Sequence, residues 1–253
     1  VPWSESIPQF STPALVLALA LLAYAAVGEP LLGRRAFARL ERTRDSDPRA
    51  LLRFYRLSIG IAWAWTAVVV AAVLLAPGLT AAHLGLRAPV AWGPFAGAVI
   101  GFVLALLVVW LLTRDRGRGR RPGPEPAPVP EPAAHVLTVL APRSRAERRA
   151  AGLLAVTAGV CEEVLYRGLF VALGVALGLP VWAAAVLSCV LFALAHVYQG
   201  WWGLVGPGLV GALFMVVYLG TGSLFVPIVL HILLDGRSLL LTGRGRRHRA
   251  TSV

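Results

Sequence analysis

AAGLLAVTAGVCEEVLYRGLFVALGVALG, residues 150–178, sets Glu162, Glu163 and Arg167 into a run otherwise dominated by apolar and small side chains. A hydrocarbon core of about 30 Å is crossed by roughly 20 helical residues, so this run is long enough to span a bilayer. It is too long for one perpendicular crossing, and an interfacial stretch ahead of the span proper accounts for the excess. An ionisable side chain at the bilayer centre costs about 2.5–3.5 kcal/mol on insertion scales. Such groups therefore face a bundle interior, pair with one another and mark function.

The rest of the chain fits the same solvent. Of its 253 residues, 58% are apolar and only 14% charged, and the mean hydropathy is +0.74; a soluble domain has a different balance. Apolar segments recur at about 13–33, 57–76, 91–113, 150–178, 180–200, 203–221 and 223–242, which predicts an all-α polytopic transmembrane bundle of about seven spans. All 24 basic residues are Arg, and the formal charge is +12. Eight arginines lie between Arg34 and Arg56, nine between Arg114 and Arg149 and four between Arg244 and Arg249, whereas the 77–90 connection holds only Arg87. With seven spans the three rich segments share one side, so the positive-inside rule puts the N-terminus outside and the C-terminus in the cytoplasm. The arginines fall between apolar runs rather than among aromatics on a polar surface, which points to anionic lipid and excludes a nucleic-acid partner. No signal peptide is read, because no basic residue precedes Pro13 and the first apolar run is followed by arginines. Cys161 and Cys189 stand singly in apolar surroundings and read as small buried residues, not as a disulfide or thiolate site.

Residues 114–134, an Arg/Gly run followed by a proline-rich stretch, cannot build a core and read as a cytoplasmic linker. The expected organisation is a three-span membrane region at 1–113, a linker at 114–139, a core at 140–243 and a basic cytoplasmic tail at 244–253. The first region carries Glu29 near the end of its first span but no cluster of ionisable residues, and it is assigned a supporting or partner-binding role.

The core is different. It holds Glu162, Glu163, Arg167, His196, His231, Asp235 and Arg237 in a background of Leu, Val, Ala and Gly. Glu163 and Arg167 are four apart, so the guanidinium can neutralise that carboxylate. Glu162 is turned about 100° round the helix and is left to act as a general base. Phe192 and His196 repeat the four-residue spacing on the next segment, and His231 and Asp235 repeat it on the last. Taken singly, each group also fits a structural role: a buried ion pair, or a histidine bonding between helices. Three consecutive spans each carrying one polar face are costly to keep unless used.

Glu162-Glu163-Val-Leu-Tyr-Arg167, Phe192-Ala-Leu-Ala-His196 and His231-Ile-Leu-Leu-Asp235 resemble, in order and separation, the EExxxR, FxxxH and HxxxN/D motifs of the CPBP family of intramembrane peptidases, the CAAX proteases and bacteriocin-processing enzymes. The basic lead-in from Pro142 to Arg149 is similar to the one that precedes the first motif. The resemblance covers roughly 140–242. It implies an intramembrane cavity open toward the cytoplasm, with Glu162 and His196 activating a water and His231 and Asp235 stabilising the tetrahedral oxyanion. Glu163 and Arg167 complete the implied catalytic set.

Asp235 stands where the better-known CAAX endopeptidases have Asn, and an ionised Asp cannot donate a hydrogen bond. Three readings stay open: Asp235 is protonated, it orients His231, or Glu162, His196 and His231 hold a divalent metal such as zinc. No cofactor is otherwise expected, no HExxH occurs, and metal-free water activation is favoured. The expected partner is a peptide or a lipidated, membrane-associated protein, with membrane lipid around the chain; no oligomeric state is assigned. The all-Arg, Ala/Gly-rich composition resembles that of proteins from high-GC bacteria, so a bacterial cell membrane and a peptide other than a prenylated CAAX protein are expected. A second reading of the same residues is a non-catalytic membrane scaffold or a bacteriocin self-immunity factor.

Overall fold

The computed structural model describes residues 6–94, 96–97, 100–101, 104, 107 and 131–241. Every regular element among them is helical. The first helix, α1 (Thr12–Ala23), begins at Ser11, whose side chain accepts from the Ala14 amide, in the manner of an N-cap that occupies one of the unpaired first-turn donors. It passes through a π turn at Tyr24–Gly28 into α2 (Glu29–Thr43) without a break. Pro30 lacks the N–H that a helix interior needs, and the wide turn directly before it absorbs that loss. The apolar run therefore does not end near residue 33. The rod continues to Thr43, because Phe37 and Leu40 give α2 an apolar stripe that is buried.

A short turn leads to α3 (Ala50–Leu75), which packs on α1. After it the chain runs through a loop whose Val90 amide bonds the Thr221 carbonyl. Most of the third expected span, 91–113, and residues 114–130 of the expected linker lie outside the described residues. Residues 131–140 form a helix, α4 (Glu131–Leu140), because Val136, Val139 and Leu140 bury against Phe37, Leu51 and Tyr55.

Helix α5 (Arg145–Glu162) starts with a capping box between Ser144 and Glu147. It then widens into a π segment at Glu163–Phe170 and returns to α-helix as α6 (Val171–Ala176). This rod is the centre of the bundle, packed on α3 and on the last helix. Its inner face is small: Ala151, Ala155, Ala158 and Gly159 let neighbours approach closely. A Cβ on Gly159 would lie 2.5 Å from the Ile232 side chain and 3.0 Å from the Ile232 amide nitrogen, so the crossing with the last helix requires glycine there.

Three further helices complete the core: α7 (Val181–Ala195), α8 (Trp201–Thr221) and α9 (Phe225–Leu241). Between α7 and α8 lie His196, a 3₁₀ turn at Val197–Gln199, and Gly200 at φ +77°. Such a φ favours glycine, and the turn reverses the chain.

Three described stretches are long and apolar enough to cross a membrane: Thr12–Thr43, Ala50–Leu75 and Trp201–Thr221. Val181–Ala195 is apolar but shorter. Large apolar side chains point outward from these helices, among them Val16, Leu74, Trp182, Leu209 and Val216, as expected where lipid replaces water around the bundle. The protein is an integral membrane protein.

Two ends of the bundle are tied by polar contacts. Arg44, following α2, is 5% exposed and bonds Glu147 Oε1 at 3.0 Å, with further bonds to the carbonyls of Val139 and Ala141. A buried ion pair is tolerable only when its remaining donors and acceptors are met, and here the backbone between α4 and α5 meets them. Trp63 on α3 donates to Thr157 on α5 at 3.3 Å.

Candidate active site

The first motif falls where the central rod changes its pitch. Glu162 is the last residue of α5 and Glu163 the first of the π segment. π-Helical insertions recur at functional sites because they shift side chains off the regular α-helical phase. The two adjacent carboxylates have different surroundings. Glu163 is fully buried, and its Oε1 accepts from Arg167 Nη1 at 2.9 Å and from His231 Nδ1 at 2.8 Å. Glu162 is partly exposed, and among the described residues its buried Oε2 has no hydrogen-bond partner.

Arg167 is held at both of its terminal nitrogens. Its Nη2 donates to the Gly211 carbonyl at 3.0 Å, and its guanidinium carbon sits 4.2 Å from the Phe192 ring centroid, close enough for a cation–π contact. Helix α8 can come this near only because residue 211 is glycine. A Cβ there would lie 2.8 Å from the Phe192 ring and 2.9 Å from Arg167 Nη2.

His196 stands just past the end of α7, at its C-cap rather than within it. Its Nδ1 lies 2.9 Å from the Phe192 carbonyl. A carbonyl only accepts, so Nδ1 carries the proton, and in the neutral ring Nε2 keeps a lone pair for other work. Phe192 lies between the two histidines, with ring centroids 4.8 Å from His196 and 6.0 Å from His231. His231 uses Nδ1 on Glu163 and turns Nε2 toward two more carboxylates, Glu162 Oε2 at 3.8 Å and Asp235 Oδ2 at 3.7 Å. These last two distances are ion-pair contacts, longer than hydrogen bonds.

All six expected residues thus come to one region. Glu162, Glu163, Arg167, His231 and Asp235 are joined by direct contacts, and His196 joins them through Phe192. The sharing of Glu163 between Arg167 and His231 was not visible in the sequence, since the carboxylate and the imidazole are 68 residues apart. Two contributors were also missed. Tyr166, fully buried in the π segment, donates its hydroxyl to Glu29 Oε2 at 2.7 Å. The only sequence signal for this contact was an acidic residue inside the first span.

The metal reading finds no support in the donors. Among the described residues no group of three or more His, Cys, Asp and Glu side chains is placed to hold a metal ion, and the Glu162, His196 and His231 set falls within that statement.

Glu162 is thus a partly exposed carboxylate beside an imidazole and outside any strong ion pair. Residues 148–236 match the family model described as "Type II CAAX prenyl endopeptidase Rce1-like". The match spans all three motifs, Glu162–Arg167, Phe192–His196 and His231–Asp235. No curated protein and no solved structure matches the chain.

Proposed function

We propose that the protein is an intramembrane endopeptidase that hydrolyses a peptide bond of a membrane-associated substrate with a water activated by Glu162 and His196. The observation that carries this reading is the division of labour in the glutamate pair. Glu163 is fully buried and bound to Arg167 and His231, whereas Glu162 is partly exposed and meets His231 Nε2 at an ion-pair distance of 3.8 Å. In the proposed reaction Glu162 takes a proton from water as the water oxygen bonds to the scissile carbonyl carbon, with the Nε2 lone pair of His196 fixing the water's second hydrogen. The carbonyl oxygen becomes an oxyanion. His231, presenting a protonated Nε2 and anchored through Nδ1 by Glu163, donates to that oxygen. Asp235, on the Nε2 side of the same ring, orients it and balances its charge. The proton held by Glu162 then passes to the amide nitrogen, the carbon–nitrogen bond breaks, and the acid so formed gives its proton, the second hydrogen of the water, to the amine, so that a carboxylate and an ammonium leave.

The family description names CAAX prenyl substrates; for this chain the proposed class is broader, a peptide anchored in the membrane with or without a lipid. The seven-span arrangement, the cytoplasmic C-terminus and a bacterial cell membrane belong to the same proposal, supported by the distribution of arginines and by composition. Residues 140–243 would be the peptidase core and 1–113 its membrane partner.

The test is exposure of the full chain in proteoliposomes to a library of membrane-anchored peptides, farnesylated CAAX sequences included, in ¹⁸O-water. One internal cut with a single ¹⁸O in the new carboxylate is expected. Failure to cut any peptide under conditions where the chain is folded would overturn the reading.

A further inference from the structure

Glu29 lies in the candidate span Thr12–Thr43, outside the family-matched segment 148–236. A carboxylate in that setting is costly, and among the described residues Glu29 forms no ion pair that offsets it. Its bond is to a neutral donor, the hydroxyl of Tyr166, across 137 residues of sequence. Both ends of this bond are placed by π turns. Glu29 directly follows Tyr24–Gly28, and Tyr166 sits inside Glu163–Phe170, one residue before Arg167.

Tyr166 connects Glu29 to the chemistry. Its ring stands edge-on to Phe192 at 5.3 Å and its carbonyl accepts from Ser188 on α7 at 2.5 Å. Phe192 in turn supplies the carbonyl that fixes the Nδ1 proton of His196 and the ring on which Arg167 rests. Rotation of Tyr166 would therefore be felt by both His196 and Arg167. The hydroxyl is at the far end of that ring, and Glu29 is the group that holds it.

We infer that Glu29 is a positioning residue of the peptidase site, delivered by the N-terminal membrane region: it holds Tyr166, which sets Phe192 and through it the His196 ring. The inference rests on the endopeptidase reading above and extends it, because the family-matched segment then lacks one of the parts that align its histidine. An aligned imidazole matters to rate more than to binding, since small misplacements of a reacting group cost about ten- to a hundredfold.

The experiment compares wild type, Glu29→Ala, Glu29→Gln and Tyr166→Phe as full chains in proteoliposomes, with cleavage of a membrane-anchored peptide and ¹⁵N-histidine NMR as readouts. Glu29→Ala and Tyr166→Phe should lower kcat about tenfold or more with KM within about twofold. Glu29→Gln, which keeps an acceptor for the hydroxyl, should recover most of that loss. The His196 nitrogen signals, assigned by their disappearance in His196→Gln, should show one Nδ1–H tautomer in wild type and in Glu29→Gln. They should show mixed or exchange-broadened tautomers in the other two. Unchanged kcat in Tyr166→Phe, a loss confined to KM, an equal loss in Glu29→Gln and Glu29→Ala, or identical histidine spectra throughout would each overturn the inference. If Glu29→Ala does not fold, Tyr166→Phe carries the test, because it removes one oxygen and keeps the ring. If wild type cuts nothing, the endopeptidase reading fails, and the histidine spectra still decide whether Glu29 sets His196.

Discussion

Two glutamates adjacent in sequence have different surroundings here, Glu163 fully buried and Glu162 partly exposed. Glu163 has Arg167 and His231 as donors and is 0% exposed. Removing Arg167 leaves that carboxylate buried with one cation fewer, a change that destabilises by about 3–5 kcal/mol when a buried pair is broken. Arg167→Ala should therefore lower the unfolding temperature in detergent and abolish cleavage together. Arg167→Lys should restore only part of the stability, since an ammonium cannot serve Glu163 Oε1 and the Gly211 carbonyl with the same planar fork. Equal stability of wild type and Arg167→Ala would show that the pair does not hold the site. At this scale the sequence was a good guide to the Glu163–Arg167 pair, because a four-residue spacing on one helix is a local rule. It was silent on His231 Nδ1 bonding Glu163, since nothing local relates residues on different helices. It also undervalued Glu29, which as an isolated acidic residue carried no spacing to interpret.

Helix ends depart from the sequence reading where packing outweighs hydropathy. The first span was expected to stop near residue 33, because Arg34 and Arg35 break the apolar run. The helix instead continues to Thr43, with the Phe37 ring tilted against Tyr198 at 5.4 Å in the turn that follows His196. Residues 131–139, expected as linker, are helical together with Leu140 because Val136, Val139 and Leu140 find a buried partner surface on α2 and α3. The clamp between Arg44 and Glu147 joins these elements to the start of α5. Arg44→Ala should cost about 3–5 kcal/mol, since it strands Glu147 in a 3%-exposed position. Limited proteolysis would report it as faster cutting in the turn between α2 and α3, with Arg44→Lys intermediate. Cutting at the wild-type rate would mean that the clamp does not fasten the two regions.

At the scale of the whole molecule, the membrane environment was legible from composition alone, and three described helices meet the length and hydropathy of a crossing. The seven-span pattern depends on the arginine distribution, on a third segment mostly outside the described residues, and on spans whose polar residues lower their hydropathy. Those same residues mark the site: Glu162, Glu163 and Arg167 sit on the rod that packs centrally in the bundle. The region before the family-matched segment is built into the same structure, through Trp63 to Thr157 and Glu29 to Tyr166. In the proposed reaction Glu162 activates the water that cuts the substrate. The decisive measurement is the cleavage rate of one membrane-anchored peptide by wild type and by Glu162→Gln, both shown folded by their unfolding temperatures. Glu162→Gln keeps the shape and removes the base, so the rate should fall by about 10²–10⁴-fold; cleavage by Glu162→Gln at the wild-type rate would contradict the account.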